Sequence, residues 1–413
     1  MFSRWYREPF REKLGRPFVH LLFGARQTGK STLVRALLPP DAVVIDLSSA
    51  AERARYLARP DLFESLCRSL PEKPRGRFVF VDEVQAVPAI FDSVQHLYDS
   101  DRRRWRFILC GSSMRKLRKA GANLLPGRSF IHHLYPLILA EQPVAGGGTG
   151  ENGIILPLAG RAVPGLKPFP DWKLESRLAY GALPGVVAAA ERDRAEILVA
   201  YTAAHLEEEI RREALVKDWG GFLRFLQLAA MESGRMLNYA ALSQETGVSL
   251  PTIKAYYQLL EDMHVGFSVP AFSRSSRKRL LSTSRFFFFD LGVRHAAAGL
   301  NIGLDTVRAD PGPLFEQWVG LELWKRLRYR GEGSLLYYRT GAGAEVDFII
   351  ETKGRTVPVE VKWTERPGAR DLRHLDAFIR DQGSRVKEGF IVCRCHRPLR
   401  LADRVMAVPW WMI

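Results

Sequence analysis

The stretch GARQTGKS, residues 24–31, constrains the fold most, because it satisfies G-x-x-x-x-G-K-[ST] at every fixed position. It follows the apolar segment VHLLF and precedes the helical segment STLVRALL. Glycines let the backbone curl so that its N–H groups point at phosphate oxygens, and a helix N-terminus adds positive potential. The alternative, a chance glycine-rich turn, requires neither flanking element. The pattern predicts a loop that binds a nucleotide through Gly24, Gln27, Thr28, Gly29, Lys30, Ser31 and Thr32.

Two loop side chains and two acidic residues that end the segment FVFVDE, residues 78–83, predict the chemistry of this site. We expect Lys30 to reach the β- and γ-phosphates and the Ser31 hydroxyl to bind Mg²⁺. Asp82 would hold Mg²⁺ through water, and Glu83 would orient and deprotonate the attacking water. Solvated charges at a strand end are the alternative. The predicted cofactors are ATP and Mg²⁺, and the predicted reaction is ATP hydrolysis.

Five short apolar segments alternate with helix-length segments over residues 18–141, which predicts a parallel sheet covered on both faces. They are FVHLLFG, AVVIDLS, RFVFVDE, RFILCGSS and SFIHHLYPL. The hydroxyl of Ser112, at the end of the fourth, would contact the γ-phosphate or the water. Arg128, before the fifth, would reach a neighbouring subunit's nucleotide and neutralise transition-state charge, which implies a homo-oligomer. An ordinary surface arginine is the alternative.

A resemblance to a known family rests on motifs read in chain order: LFGARQTGKSTL, FVFVDEVQ, CGSSMRKL, LLPGRSFIHHLYPLILAE, LAYGALPGVV, FEQWVGLEL, YYRTGAGAEVDFII and VPVEVKW. The chain resembles AAA+-like prokaryotic P-loop ATPases that carry a C-terminal domain of unknown function, DUF4143, of nuclease-like type. The resemblance covers nearly the whole chain except residues 143–170. It implies an α/β fold with an ATPase core, a helical lid and a C-terminal restriction-endonuclease-like domain.

The domain organisation follows from changes of pattern along the chain. We expect an ATPase core over residues 1–142, and a Gly- and Pro-rich insertion or linker over residues 143–171. A helical lid segment over residues 172–234 and a winged helix-turn-helix over residues 235–300 would follow. Residues 301–413 would form the PD-(D/E)xK nuclease-like domain.

The helix-turn-helix prediction rests on LNYAALSQETGVSLPTIKAYYQLL, residues 237–260. Two short helices joined at Gly247 match that motif, whose second helix can lie in a major groove. A hairpin with a basic, serine-rich connection follows in FSVPAFSRSSRKRLLSTSRFFFFD. Phosphate contacts are predicted for the connection and for one residue of the second helix: Lys254, Arg274, Arg277, Lys278 and Arg279. A lid or protein-docking module is the alternative.

The C-terminal segment EVDFIIETKGRTVPVEVK, residues 345–362, places carboxylates and a lysine near strand ends. Period-two alternation puts Glu360 and Lys362 on one side of their strand, and Glu316 lies on an amphipathic helix. Asp347 and Glu360 would hold a divalent metal, Lys362 would position water or stabilise charge, and Glu316 would add a ligand or support the others. The arrangement resembles the PD-(D/E)xK nuclease fold, although Val346 precedes Asp347. A fold that binds nucleic acid or a partner without cutting it is the alternative.

Composition adds a preference for a polyanionic partner. The net charge is +16, and residues 1–142 alone carry 24 basic and 14 acidic side chains. DNA is the expected partner, although an arginine-rich proteome is an alternative explanation. Four cysteines are too few for a disulfide framework, and Cys393 and Cys395 are better explained as strand residues than as metal ligands. The charged N-terminal segment is no signal peptide, and no apolar run spans a membrane, so we expect a cytoplasmic protein.

Two functions are consistent with these patterns. We favour an ATP-driven enzyme that binds DNA and remodels or cleaves a DNA structure. The alternative is a nucleotide-controlled switch that docks a protein partner and whose nuclease-like domain is catalytically silent. The basic segment at residues 115–119 would discriminate between them: lining the inner surface of an assembly favours the first, and burial against the lid favours the second.

Overall fold

The computed structural model describes residues 2–74, 76–112, 125–142, 173–206, 210–211, 218–275, 277, 279, 282–341 and 343–413. These residues divide into two compact units. The first contains Ser3–Tyr135 and Leu259–Val265, and the second contains Pro136–Gln258 and Gly266–Ile413. Among the described residues, none of the helices combines the length and the apolar character that a membrane crossing requires.

The first unit is built on a five-stranded sheet with the order β2-β3-β4-β1-β5, and the pairings among its described strands are all parallel. Its strands are β1 (Val19–Phe23), β2 (Val43–Asp46), β3 (Arg77–Asp82), β4 (Trp105–Gly111) and β5 (Ser129–His133). Its helices are α1 (Arg7–Leu14), α2 (Lys30–Arg35), α3 (Ala50–Ala58), α4 (Asp61–Ser69) and α5 (Ile90–Ser100). All five predicted strands are confirmed.

Burial explains why these segments form a parallel sheet. Every residue of β1 is buried, and so is all of β4 except Arg106. Parallel strands of this kind are near-continuous apolar runs, because helices cover both faces of the sheet. One core cluster joins β1, β3 and β4 to α4 and α5 through Phe23, Val81, Phe107, Phe63 and Phe91. The carboxyl ends of β1, β3 and β4 therefore lie side by side, where ligands bind in open parallel sheets.

Helices follow β5 along the chain. They are α6 (Leu174–Tyr180), α7 (Pro184–Ala188), α8 (Glu191–Ala200), α9 (Trp219–Met231), α10 (Tyr239–Thr246) and α11 (Leu250–Asp262). They belong to the second unit except for the last four residues of α11, Leu259–Asp262. Strands β6 (Gly266–Val269) and β7 (Arg285–Phe288) then form an antiparallel pair. The predicted insertion at residues 143–171 and most of the segment LEEEIRREALVKDW lie outside the described residues.

The C-terminal part of the second unit packs helices against a mixed sheet. Helices α12 (Leu291–Ala297), α13 (Leu304–Ala309) and α14 (Pro311–Arg330) lead into a six-stranded sheet with the order β12-β13-β11-β10-β9-β8. Its elements are β8 (Ser334–Arg339), β9 (Glu345–Thr352), β10 (Arg355–Val361), α15 (Arg373–Gln382), β11 (Gly389–Cys393), β12 (Leu399–Ala402) and β13 (Val405–Pro409). The predicted helix for Glu316 and the strands for Asp347 and Glu360 are formed.

Local turn chemistry connects α10 to α11. Gly247 has a φ of 72°, a left-handed conformation that glycine adopts without strain. Asn238 begins α10 by accepting a hydrogen bond from the Ala241 N–H at 3.1 Å. The hydroxyl of Ser249, which directly precedes α11, lies 2.8 Å from the hydroxyl of Thr252 in its first turn. The predicted pair of short helices is therefore formed.

Candidate functional site

The loop between β1 and α2 has the backbone that its glycines predict. Gly24 has a φ of 153°, and a Cβ there would lie 2.2 Å from the Leu134 carbonyl oxygen, so only glycine fits. Gln27 and Gly29 also have positive φ values, 60° and 90°. The Thr28 hydroxyl is buried and donates to the Ala25 carbonyl at 2.9 Å. These turns curl the backbone immediately before the first residue of α2.

Lys30 lies buried against the loop that it follows. Its ammonium group donates to the carbonyl oxygens of Gly24 at 2.8 Å and Ala25 at 3.0 Å, and the residue is 6% exposed. A buried ammonium group needs such acceptors, because removing a charge from water is costly. A bound polyphosphate would offer stronger, charged acceptors in the same neighbourhood. Lys30 is thus held next to the predicted phosphate position. Ser31 is half-buried beside it, and Thr32 is exposed on α2.

An arginine that we did not predict braces this loop. Arg4 is 8% exposed, and its guanidinium donates to the Thr28 carbonyl at 2.6 Å and to the Tyr135 carbonyl at 2.7 Å. A guanidinium presents several donors in a rigid fork, so it fixes two backbone segments at once. No fixed spacing relates Arg4 to residues 24–31, so sequence reasoning had no signal for this contact.

Asp82 ends β3 beside α2, where the Ser31 hydroxyl donates to its carboxylate. Burial raises the pKa of the Asp82 carboxyl, the Asp46 carboxylate raises it further, and the Ser31 hydrogen bond opposes the rise. A hydroxyl and a carboxylate oxygen are ligands that Mg²⁺ prefers. The half-buried Ser31 hydroxyl and the buried Asp82 carboxylate therefore fit the predicted Mg²⁺–nucleotide complex.

Hydrogen bonds between side chains link Glu83, the predicted base, to Ser112 at the end of β4. Glu83 follows β3 with a φ of 54°, and its carboxylate accepts a hydrogen bond from Gln85. The same amide nitrogen of Gln85 lies 3.3 Å from the Ser112 hydroxyl oxygen. Ser112 is 2% exposed. The structure thus brings Glu83 and Ser112 together through Gln85, which lies two residues beyond Glu83 and which sequence reasoning missed.

Arg128 lies at the start of the segment leading into β5, and its Nε is 2.5 Å from the Asp99 carboxylate. Both side chains are substantially exposed. The ion pair within the chain does not test the predicted contact with a neighbouring subunit, which stays a prediction. The basic segment at residues 115–119 lies outside the described residues. Its position, which we expected to discriminate between the two functions, therefore stays untested.

The predicted DNA contacts have different surroundings. Lys254 is exposed on α11, with its ammonium 5.5 Å from the centre of the Tyr239 ring. Arg274 lies 2.9 Å from the Asp381 carbonyl and 3.4 Å from its carboxylate. Arg279 pairs with both carboxylate oxygens of Glu351, at 2.8 and 3.2 Å. Arg277 is exposed, and Lys278 lies outside the described residues.

Phosphates would have to compete for Arg274 and Arg279 with acidic residues of the C-terminal part, which already pair with both arginines. The two arginines also line a cavity of about 630 Å³, which we call the basic pocket. Three more cations line it, Lys353, Arg355 and Arg385, against the single carboxylate of Glu351. Arg355 pairs with Glu388 at 2.9 Å, whereas in the described part of the chain no ion pair involves Lys353 or Arg385.

The predicted C-terminal carboxylates meet on neighbouring strands. Asp347 on β9 is buried and accepts from the Val361 N–H of β10 at 2.7 Å. Glu360, also buried, pairs with the Lys362 ammonium at 2.6 Å. Burial raises the pKa of Asp347 well above its ordinary value, and the Glu316 and Glu360 carboxylates raise it further. Burial also raises the pKa of Glu360, whereas the charge of Lys362 and its hydrogen bond act to lower that pKa.

Glu316 on α14 faces an arginine that we did not predict to lie here. Its carboxylate forms a hydrogen-bonded ion pair with Arg285, the first residue of β7. Burial acts to lower the pKa of Arg285, but the Glu316 carboxylate outweighs this and raises it. Arg285 also donates to the Asp347 backbone carbonyl at 3.3 Å. We call Arg285, Glu316, Asp347, Glu360 and Lys362 the acidic cluster.

This conformation does not fit the predicted metal. Within the described ranges, His, Cys, Asp and Glu side chains nowhere form a group of three or more that could hold a metal ion. Two carboxylates of the acidic cluster are already paired with cations of the chain. The Glu360 Oε2 atom is buried and has no hydrogen-bond partner among the described residues, so one acceptor is left unused. No reaction step is therefore assigned to a metal at this cluster.

The parallel sheet and the loop of residues 24–31 are the features of a P-loop nucleotide-binding domain. Comparison with protein families agrees with this class. Residues 16–142 match an AAA domain, and residues 311–413 match a domain of unknown function, DUF4143. The expected resemblance to an AAA-like protein with a C-terminal DUF4143 domain is confirmed. Residues 171–303 match a further domain of unknown function, DUF8612. An AAA domain indicates nucleotide-dependent activity.

Similar proteins extend over most of the chain but carry no assigned activity. An uncharacterized protein of Mycobacterium tuberculosis is 25% identical over 403 residues, covering 97% of this chain and 81% of the relative. One of Haemophilus influenzae is 22% identical over 360 residues, covering 83% and 82%. A crystal structure of a Vibrio cholerae protein is 12% identical and covers 94% of each chain, with a TM-score of 0.18, which is too low to support an argument.

Proposed function

We propose that the protein binds and hydrolyses ATP at the loop of residues 24–31 and couples this reaction to binding of DNA. The observation that carries the ATPase proposal is the convergence of Lys30, Ser31 and Asp82 at one edge of the parallel sheet. The buried lysine lies against the loop, and the Ser31 hydroxyl donates to the buried Asp82 carboxylate. Bound Mg²⁺ would neutralise charge on the phosphates.

The chain's own residues would supply the remaining steps. Lys30 would exchange its two carbonyl acceptors for phosphate oxygens and so favour bound ATP. Glu83 would accept a proton from the attacking water, and Gln85 would fix the direction of that carboxylate. Ser112, linked to Gln85, would contact the γ-phosphate or the water. Loss of the γ-phosphate would therefore change the contacts of Glu83 at the end of β3 and of Ser112 at the end of β4.

The oligomer is part of the proposal because Arg128 acts only beside another subunit's nucleotide. It must first leave Asp99, with which it pairs at 2.5 Å on the surface. Exposed pairs contribute little to stability, so this release costs little. Arg128→Ala should therefore lower turnover in the assembled protein without changing the affinity of an isolated subunit for ATP.

DNA is the partner that the basic pocket favours. Five cations line it against one carboxylate, and residues 351–356 place two of those cations and the carboxylate on the β9–β10 hairpin. Glu351, where this stretch begins, is four residues from Asp347, or about 13 Å of strand. Cations at such a surface bind the sugar-phosphate backbone without reading sequence. Lys254 on α11 would add a further phosphate contact.

Cleavage is tested separately from binding. Wild type and Lys362→Ala would be incubated with duplex, single-stranded and four-way-junction DNA, with Mg²⁺ or Mn²⁺, and with or without ATP. Because two of the three carboxylates of the acidic cluster are paired with cations of the chain, we expect ATP-dependent binding without cleavage by either protein. Cleavage by wild type that disappears in Lys362→Ala would instead establish a nuclease. If the DNA is neither bound nor cut, the DNA proposal fails and the alternative, a switch that docks a protein, replaces it.

A further inference from the structure

Arg285 is a buried arginine of the second unit that contacts both backbone carbonyls and aromatic rings. It is 7% exposed, and its Nε donates to the Gly234 carbonyl at 2.6 Å while Nη1 donates to the Asp347 carbonyl at 3.3 Å. Three aromatic rings surround the guanidinium, with centres 5.5 to 5.9 Å away: Phe287, Tyr337 and Phe348. Such rings attract cations through their electron-rich faces. The site is therefore built to hold a positive charge.

The carboxylates around Arg285 explain why that charge is needed. Glu316 pairs with it directly, and Glu316 is close enough to Asp347 for the two carboxylates to repel each other. Glu360 lies beside Asp347 across the β9–β10 pair and is compensated by Lys362. Three buried or half-buried carboxylates thus face two cations of the chain. Buried charges require such pairing, and breaking one pair strands the remaining partner.

Arg285 and the carboxylates that it neutralises belong to different elements of the chain. The arginine begins β7, whereas Glu316, Asp347 and Glu360 belong to α14, β9 and β10. Hydrogen bonds and contacts with the rings of Tyr337 and Phe348 join it to α14, β8 and β9, whereas Phe287 belongs to its own strand. Without the positive charge of Arg285, the acidic cluster would have an excess of carboxylates and the Glu360 Oε2 atom, which has no hydrogen-bond partner among the described residues.

We propose that Arg285 occupies the place of a cation in the acidic cluster, and that the cluster binds a divalent cation only when this arginine is withdrawn. The arginine is thus a positioning residue that keeps the C-terminal domain from binding metal. The proposal is independent of ATP hydrolysis, because it concerns residues of α14 and of β7, β9 and β10 alone.

The test measures Mn²⁺ binding directly, by the loss of the free Mn²⁺ signal in electron paramagnetic resonance. All proteins carry Asp82→Asn, so that the nucleotide site does not contribute. Arg285→Met keeps an unbranched side chain among the three rings and removes the charge. It should bind one Mn²⁺ at least about tenfold more tightly than the parent, and adding Asp347→Asn should abolish that gain.

Arg294→Met is the matched control. Arg294 is a half-buried arginine that donates to the Ala230 and Met231 carbonyls at 2.8 and 3.1 Å, and the described residues show no ion pair to it. This variant should gain no Mn²⁺ site. Equal Mn²⁺ affinity in the parent and Arg285→Met would overturn the proposal, and so would a failure of Arg285→Met to bind.

A second arm covers the case in which Arg285→Met does not fold. The stranded carboxylates would then be the cause, so either Mn²⁺ during refolding or the added Asp347→Asn substitution should restore soluble, folded protein. Recovery measured by circular dichroism under either condition supports the proposal. Lack of recovery under both would show that the arginine is required for packing alone and would refute its role as a substitute cation.

Discussion

Gln85 offers the sharpest perturbation of the nucleotide site, because one side chain contacts both Glu83 and Ser112. Its amide nitrogen donates to the Glu83 carboxylate and lies 3.3 Å from the Ser112 hydroxyl. In Gln85→Ala, Glu83 keeps its charge but loses the donor that orients it. We therefore expect slower hydrolysis with ATP binding unchanged.

The magnitude follows from the contact that is lost. A hydrogen bond to a charged group contributes about 1.5–3 kcal/mol. If the orientation matters only when water attacks, the whole amount appears in the activation barrier, where each 1.36 kcal/mol is about tenfold in rate. Gln85→Ala should therefore lower kcat by about 10- to 150-fold.

The assay is steady-state phosphate release over a range of ATP concentrations, together with equilibrium binding of a fluorescent ATP analogue. Gln95→Ala, which truncates a half-buried glutamine on α5, is the control and should retain wild-type kcat. Unchanged or increased kcat in Gln85→Ala would refute the orienting role. A large loss of nucleotide affinity would show instead that Gln85 supports the loop.

Three further predictions concern stability and DNA. Glu322→Gln should lower the free energy of unfolding by about 3–5 kcal/mol in urea titrations, because Glu322 is fully buried and pairs with Lys325 and Arg326 at 3.4 and 3.3 Å; a loss below 1 kcal/mol would contradict this. Burial lowers the pKa of His20 to about 4 and that of His132 to about 2, so stability should be fully present above pH 6.5 and fall as the pH drops from 6.5 towards 4, by up to about 1.4 kcal/mol per pH unit for each imidazole. Replacing His20 with Phe should flatten that slope in urea titrations, and an unchanged slope would contradict the assignment. Lys353→Ala and Arg385→Ala should each weaken DNA binding and reduce the slope of log K against log salt by about 0.9, and an unchanged slope in fluorescence anisotropy would exclude a phosphate contact.

The parts of the fold predicted from sequence are those in which a short stretch contains all of the determining residues. The loop of residues 24–31 has fixed spacing, and its strand and helix are adjacent in the chain. The turn at Gly247 is equally local, because one left-handed residue decides where α10 ends. The five buried strands were visible because parallel strands are continuous apolar runs.

Most of the unpredicted parts depend on partners that are distant in sequence. Arg285 and Glu316 are separated by 31 positions, and Arg279 and Glu351 by 72. No spacing rule links such pairs, since the tertiary fold alone brings them together. Arg285 did offer one signal, because it directly precedes the apolar run FFFF and so had to be buried with a partner. The contact between Gln85 and Glu83 could have been predicted from the sequence, because the two residues are only two positions apart.

The most direct test of the central claim compares ATP binding and ATP turnover in wild type and Glu83→Gln. Both proteins should bind ATP with similar affinity, because the loop, Lys30 and Asp82 are unchanged. Wild type should release phosphate, and Glu83→Gln should not, since an amide cannot accept the proton of the attacking water. Hydrolysis by Glu83→Gln at the wild-type rate would contradict the assignment of Glu83 as the base and, with it, the proposed mechanism of this site.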